Sequence, residues 1–199
     1  MSSTTRSMRR RTLLQAGIAL GASQAIGAPF VIRALGDQPV KIGMVDPLTG
    51  VLSALGQSEV DGAKYATAEI NKKNGILGRQ VELLVEDSAN DIGIGVQKTR
   101  TLIDRDQVNA IFGDVNSGTA YAMSQITNEK NVLHIVPGGH TDPITGTNCK
   151  WNVFRVCNTT TMDTEAVTPE LVKKFGKKWF FVSPDYAYGH TLQDAFIKA

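Results

Sequence analysis

The sequence predicts an α/β fold, a doubly wound parallel sheet with helices on both faces, followed by the start of a second lobe of the same kind that this chain leaves incomplete. Three observations carry the prediction. Strand and helix signals alternate from Val40 onward. Twice, at Ala110–Gly118 and at His134–Pro143, a buried apolar run ends in a loop of small polar residues. The helical stretches between strands are long enough for right-handed crossovers, which parallel pairing requires.

The elements follow in order. Val40–Val45 reads as the first strand, ended by Pro47-Leu48-Thr49-Gly50. A helix from Gln57 to Lys73 turns Val60, Ala63, Thr67 and Ile70 inward and stops at Asn74-Gly75. Gln80–Val85 is a second strand. Asp91 caps a helix reaching Arg105 that packs through Ile92, Val96, Thr99 and Ile103. Val108–Phe112 is the third strand, Ser117–Asn131 the next helix, and Val132–Val136 the fourth strand. The rhythm then breaks, because Gly138–Lys150 is rich in Gly, Thr, Asp, Pro and Asn and is too long for an ordinary turn. Asn152–Val156 looks like a strand. Thr161–Lys174 is a helix that Pro169 either kinks or restarts with Thr168 as cap. Lys178–Val182 reads as a strand and Gly189–Ala199 as a helix that stops without Gly, Pro or a cap, so the chain reads as truncated. Residues 37–157 form a first lobe and 158–199 the start of a second, too short to bury a core of its own.

Residues 1–36 are set apart. Arg9-Arg10-Arg11-Thr12-Leu13-Leu14 leads into an apolar, Gly- and Ala-rich run, the pattern of a twin-arginine export leader. The run is glycine-broken and shorter than the ~20 residues a membrane span needs. Ala34-Leu35-Gly36 places a mature start at Asp37, and Ala25-Ile26-Gly27 offers a second cut. The leader also sets the charge sign: it holds five of the 21 basic residues and none of the 19 acids, so the remainder carries 16 basic and 19 acidic residues. No basic patch with interleaved aromatics survives, which excludes nucleic acid as a partner. Lys173, Lys174, Lys177 and Lys178 cluster at a helix end, where cations suit the dipole.

Cys149 and Cys157 are the two cysteines of an exported chain. Eight extended residues span about 26 Å, whereas bridged Cα atoms lie within ~7 Å. Either the chain turns back between them, or a partner lies beyond Ala199. Neither cysteine has a histidine at metal-ligand spacing.

In a parallel sheet the loops at the carboxyl ends of neighbouring strands share one edge, where such folds bind small molecules. That makes the loops at 113–118 and 137–143 the candidate cradle. Ser117 stands where a helix begins; its hydroxyl and the amides of the first turn suit a carboxylate or carbonyl oxygen, or Ser117 does no more than cap the helix. Enzyme motifs are missing. Gly93-Ile94-Gly95 lacks the third glycine of a dinucleotide fingerprint, and Val115 stands where a nucleophile elbow needs glycine. A hydrolase reading requires Ser117, His140 and Asp142 to act as a triad. His140 instead reads as lining the pocket or capping a turn, and His134 as a packed core residue.

The chain resembles the type I periplasmic solute-binding proteins of ABC importers, in the branched-chain amino acid, amide and urea receptor group. The residues that carry the resemblance are Ile42-Gly43 with Leu48-Thr49-Gly50, Gly62-Ala63 through Glu69-Ile70-Asn71 to Gly75-Ile76-Leu77-Gly78, Gly113–Gly118, Thr141-Asp142-Pro143, Val153-Phe154-Arg155 and Asp185-Tyr186-Ala187-Tyr188-Gly189. The resemblance implies two lobes closing over a ligand, with Val115, Asn116 and Ser117 and the loop Gly139, His140 and Thr141 holding its carboxylate or amide oxygen. The second loop has one residue more than the usual pattern, so either His140 or Thr141 faces the ligand. Tyr188 closes from the second lobe with Tyr186 beside it, or both tyrosines only pack. The acid that would meet an α-ammonium lies beyond this chain. The implied protein is a periplasmic monomer with no cofactor and no enzymatic activity, whose partners are a small carboxylate- or amide-bearing solute and a membrane permease. A receptor domain feeding a sensor or regulator is the rival from another class.

Overall fold

The computed structural model describes residues 38–199, and the expected leader and its cleavage points lie outside them. Gln38–Ala199 forms one compact unit. Its elements are β1 (Val40–Asp46), α1 (Ser53–Lys72), β2 (Val81–Asp87), α2 (Ile92–Asp104), β3 (Ala110–Gly113), α3 (Ser117–Glu129), β4 (Leu133–Val136), a 3₁₀ turn (Asp142–Ile144), β5 (Val153–Arg155), α4 (Thr160–Phe175) and α5 (Ala187–Lys198). The five strands form one parallel sheet in the order β2-β1-β3-β4-β5. The order reverses between β1 and β3, so the rim above that pair is the switch point where open α/β sheets hold ligands.

Alternation along the strands divides the core. Val45 and Ile111 pack with Leu102 and Ile103 of α2 and Met123 and Ile126 of α3, while Met44 and Asp46 point to the opposite face, where α1 lies with Val60 fully buried. A second cluster, Ala120, Val136, Ile144 and Val153, joins α3 to the far side of the sheet. The expected cap at Asp91 is present, its side chain accepting from the Ile94 amide at 2.8 Å. Asn74 and Gly75 end α1 with φ of 71° and 70°. Among the described residues no helix is long and apolar enough to cross a membrane.

Several expectations need correction. Helix α1 begins at Ser53 rather than Gln57; Gly56 is no breaker but a close contact, since a Cβ there would meet the Pro47 carbonyl oxygen at 2.2 Å. Ile70 and Ile92 lie at the surface rather than inside. Helix α4 runs unbroken through Pro169; Thr159 is its cap, accepting from the Met162 amide at 3.1 Å, and Thr168 is buried mid-helix. Lys178–Val182 has no regular secondary structure and forms no ladder, and no strand lies beside it among the described residues. Phe180 and Val182 consequently stand about nine-tenths exposed. Inward from them, Trp179 and Phe181 pack edge-on against Phe196 of α5, with ring centroids 5.5 and 5.2 Å apart.

Candidate functional site

Helix α3 starts at the carboxyl edge of β3. Its cap is Asn116 and not Ser117: the Asn116 side chain accepts from the amides of Gly118 and Thr119 at 2.9 and 3.3 Å, and its Nδ2 donates to Asn90 Oδ1 at 2.8 Å. Two first-turn amides are thereby occupied. Ser117 does something else. Its Oγ accepts from the backbone amides of His140 and Thr141 at 3.1 and 3.3 Å, so a single hydroxyl joins the two candidate loops side by side. Ser117 is 1% exposed, which makes it a strut beneath the rim rather than an open donor. The Ser117 N–H forms no backbone bond beyond its own helix.

The second loop is held from below by β5. Arg155 donates from Nη1 to the carbonyls of Thr141 and Gly139 at 2.7 and 3.3 Å, and from Nη2 to Thr145 Oγ1 at 2.6 Å. Gly139 and Thr141 are buried, and Thr141 Oγ1 donates to Thr191 Oγ1 of α5 at 3.1 Å. His140 is half-buried, and its ring lies 5.8 Å from that of Tyr188 in an edge-type arrangement with the planes at 65°, while Tyr188 lies 6.0 Å from Tyr186. His140 and both tyrosines therefore form one aromatic wall, while Thr141 belongs to the floor. Burial raises the Tyr186 hydroxyl above its ordinary range, keeping it a neutral donor.

A cleft of about 680 Å³ opens beside this wall, lined by Leu52, Asn90, Ile92, Asn116, Gly118 and Tyr186 among others. Of the expected site residues only Asn116 and Tyr186 line it; Val115 is half-buried beside it, and Ser117, Gly139 and Thr141 support it from behind. A separate hollow of about 460 Å³ lies away from the rim among Val172, Trp179, Phe181 and Phe196.

A triad does not form. Ser117 Oγ faces main-chain amides, and the Asp142 carboxylate accepts from the hydroxyls of Thr160 and Thr161 at 2.7 and 2.9 Å, so neither engages the His140 ring. Burial opposes the charge on Asp142, but these bonds outweigh it and hold the carboxyl below its usual range. His134 is buried with Nε2 at 2.7 Å from the Gly113 carbonyl, which makes that nitrogen the protonated one; burial lowers its pKa to about 4. Both cysteines are free, Cys149 exposed and Cys157 half-buried.

Sequence reasoning missed four groups. In the sequence Arg155 stands out only as part of the Val153-Phe154-Arg155 run that carries the resemblance, which gives it no role, and nothing singles out Asn90. Asp46 ends β1 and Asp114 follows β3, adjacent strands whose two aspartates stand 68 positions apart in sequence, so nothing local marked them as a pair.

A parallel sheet with its switch point at β1/β3, two loops tied together above it and an aromatic wall arriving from a later helix define an α/β unit of the type I periplasmic binding protein fold. The chain belongs to the periplasmic binding protein family, whose profile matches residues 39–199. It is 33% identical over 170 residues to the Leu/Ile/Val-binding protein BraC3 of Rhizobium johnstonii, covering 85% of this chain and 46% of that protein. Its fold matches a crystal structure of a periplasmic binding protein from Burkholderia mallei with a TM-score of 0.76 at 29% identity, over 82% of this chain and 43% of the other. It also matches an ABC transporter solute-binding protein from R. palustris in complex with benzoate, with a TM-score of 0.74 at 27% identity, over 80% and 44% of the two chains. The chain thus spans a little under half the length of these proteins.

Proposed function

We propose that this protein is the extracytoplasmic solute-binding component of an ABC importer, capturing a small carboxylate- or amide-bearing molecule between two lobes and presenting it to a membrane permease. It acts as a monomer without a cofactor, does no covalent chemistry, and reaches the periplasm through a twin-arginine leader over residues 1–36. Residues 37–157 are the first lobe, and residues from 158 onward begin the second. The observation that carries the reading is the junction made by Ser117, which sets the 113–118 and 137–143 loops at one rim facing Tyr186 and Tyr188.

The chemistry of the wall narrows the ligand. Among the described residues the cleft offers Asn90, Asn116 and Tyr186 as neutral polar groups, with Leu52 and Ile92 as apolar walls. Such a lining suits a compact apolar or planar body bearing a carboxylate or carbonyl oxygen. Relatives named for Leu/Ile/Val and a fold match holding benzoate bracket that class. Closure follows from differential contact, since a ligand touching both lobes stabilises the closed state alone.

The test is a thermal-shift and calorimetric screen of the full-length mature protein against leucine, isoleucine, benzoate, short amides and urea. A binder at a hundred times its dissociation constant adds about 2.7 kcal/mol of stability. Failure of all of them, or turnover of a reactive ester in a Ser117-dependent manner, refutes the reading.

A further inference from the structure

Beneath the rim lie three carboxyl groups that ligand capture does not use. Asp46 ends β1, Asp114 follows β3 and Glu59 comes from α1; the two aspartates are fully buried and Glu59 is half-buried. Each touches a rim loop. Asp46 Oδ1 accepts from the Val115 amide at 2.9 Å and Asp114 Oδ1 from the Asn116 amide at 2.7 Å. Glu59 Oε1 lies against Gly138, where a Cβ would meet it at 2.1 Å, so the second loop passes close over this carboxyl.

The other oxygens of these groups pose the problem. Asp46 Oδ2, Glu59 Oε2 and Asp114 Oδ2 are buried, and none accepts a bond from a fixed donor. Asp46 and Glu59 converge on Val115: Asp46 accepts from its amide, and a Cβ at Gly138 would meet both Glu59 Oε1 at 2.1 Å and Val115 Cγ2 at 2.9 Å; the Glu59 charge raises the electrostatic cost of charging Asp46. No lysine, arginine or histidine pairs with any of the three among the described residues. Nor is any group of three or more His, Cys, Asp or Glu among those residues arranged to hold a metal ion. Two neighbouring carboxylates without a cation repel in a medium that screens poorly. One proton held between Asp46 and Glu59 removes the repulsion and serves the unpartnered oxygens of these two groups, leaving Asp114 Oδ2 as it is.

We propose that Asp46 and Glu59 share one proton at neutral pH and that this shared proton positions the rim, docking α1 under Gly138 while Asp46 holds Val115. The bearing of this pair on ligand capture rests on the receptor reading above, but the proton itself does not. Burial comes first and neighbouring charge second in pushing both carboxyls up. The groups facing the pair are Asp114, itself raised to about 7 chiefly by burial, Asp87 beyond it at the end of β2, Cys157 after β5, and the neutral His134 on β4, whose ring bonds the Gly113 carbonyl. None supplies a positive charge. The folded chain holds a proton that the unfolded chain, with ordinary carboxyls, releases above about pH 4, so stability falls as pH rises toward the folded value.

The experiment uses the full-length protein without ligand. Infrared difference spectroscopy at neutral pH is expected to show a protonated-carboxyl C=O band that Glu59→Gln reduces to the contribution of Asp114, since the amide N–H replaces the shared proton. The urea midpoint of the wild type falls from about pH 6 to about pH 9, and Glu59→Gln flattens the part of that slope that Asp114 does not cause. The Val115 and Gly138 amide resonances move with the same titration in the wild type and stand still in the variant. If Glu59→Gln does not fold, Asp46→Asn is expected to do the same, because its side chain can accept from Val115 and donate to Glu59. A wild type with no protonated-carboxyl band, or variants with an unchanged slope, overturns the shared proton; stationary Val115 and Gly138 resonances overturn its positioning role. Neither result bears on whether leucine or benzoate binds.

Discussion

Replacing Ser117 by alanine separates a strut from a ligand contact, because the two roles predict losses in different experiments. In the structure the hydroxyl accepts two backbone N–H bonds, from His140 and Thr141, inside a region where Ser117 and Thr141 are 1% and 2% exposed. A buried donor stripped of its acceptor costs roughly 1–3 kcal/mol. Both bonds are long and His140 is only half-buried, so its N–H rehydrates more readily than that of Thr141. Ser117→Ala is therefore expected to lower stability by about 2 kcal/mol with no ligand present, a large share of the roughly 5–15 kcal/mol that holds a typical domain together. Urea unfolding of the full-length protein measures this as a midpoint lowered by about 0.5–1 M at unchanged slope. A ligand-free midpoint within error of the wild type, with affinity reduced, would show that the hydroxyl serves the ligand and that the junction between the loops carries no weight.

Three further outcomes follow from the same geometry. Arg155→Ala leaves the carbonyls of Gly139 and Thr141 and the Thr145 hydroxyl without their cation and is expected to cost about 2 kcal/mol in urea unfolding; Arg155→Lys restores only part, since one ammonium does not reproduce the planar fork, and full recovery would count against the clamp. Asn116→Ala removes the cap of α3 and the bond to Asn90, lowering stability by about 0.5–2 kcal/mol, with faster hydrogen exchange at Gly118 and Thr119 as the local signature. His134 gives the acid-side pH dependence: with a folded pKa of about 4 against an ordinary 6.5, the unfolded chain binds the extra proton between those values. Its contribution is complete above about pH 6.5 and is lost as pH falls toward 4. His134→Gln, which keeps a donor for the Gly113 carbonyl, should abolish that part of the slope, and an unaltered acid limb would refute the assignment.

The alternation from Val40 to Val136 was legible because each element there carries its own period and its own stop. Asp91 capped where expected for the same reason: the cap and the helix it serves are neighbours in sequence. Ser117 and Asn116 show where local reading ends. Both are good cap residues, and which one turns inward depends on a loop more than twenty positions away. At Pro169 the restart with Thr168 as cap is the alternative that fails, because α4 is one helix from Thr160 to Phe175 capped by Thr159 and packed along α5. Lys178–Val182 has the composition of a strand, but a strand is defined by its neighbour, and the described residues supply none. The acid group at Asp46, Glu59 and Asp114 was invisible because its members meet only once β1, β3 and α1 are assembled.

The hydroxyl that ties two loops together also limits how the rim can be altered. A change in the 139–141 turn is transmitted through Ser117 to the first turn of α3, and through Arg155 to the edge of the sheet, so one residue there alters the floor on both sides. Leu52, Ile92 and Tyr186 border the opening, and the hydrogen bonds of Leu52 and Tyr186 run through their main chains rather than their side chains. Those are the positions at which new selectivity can be introduced while the scaffold keeps its shape.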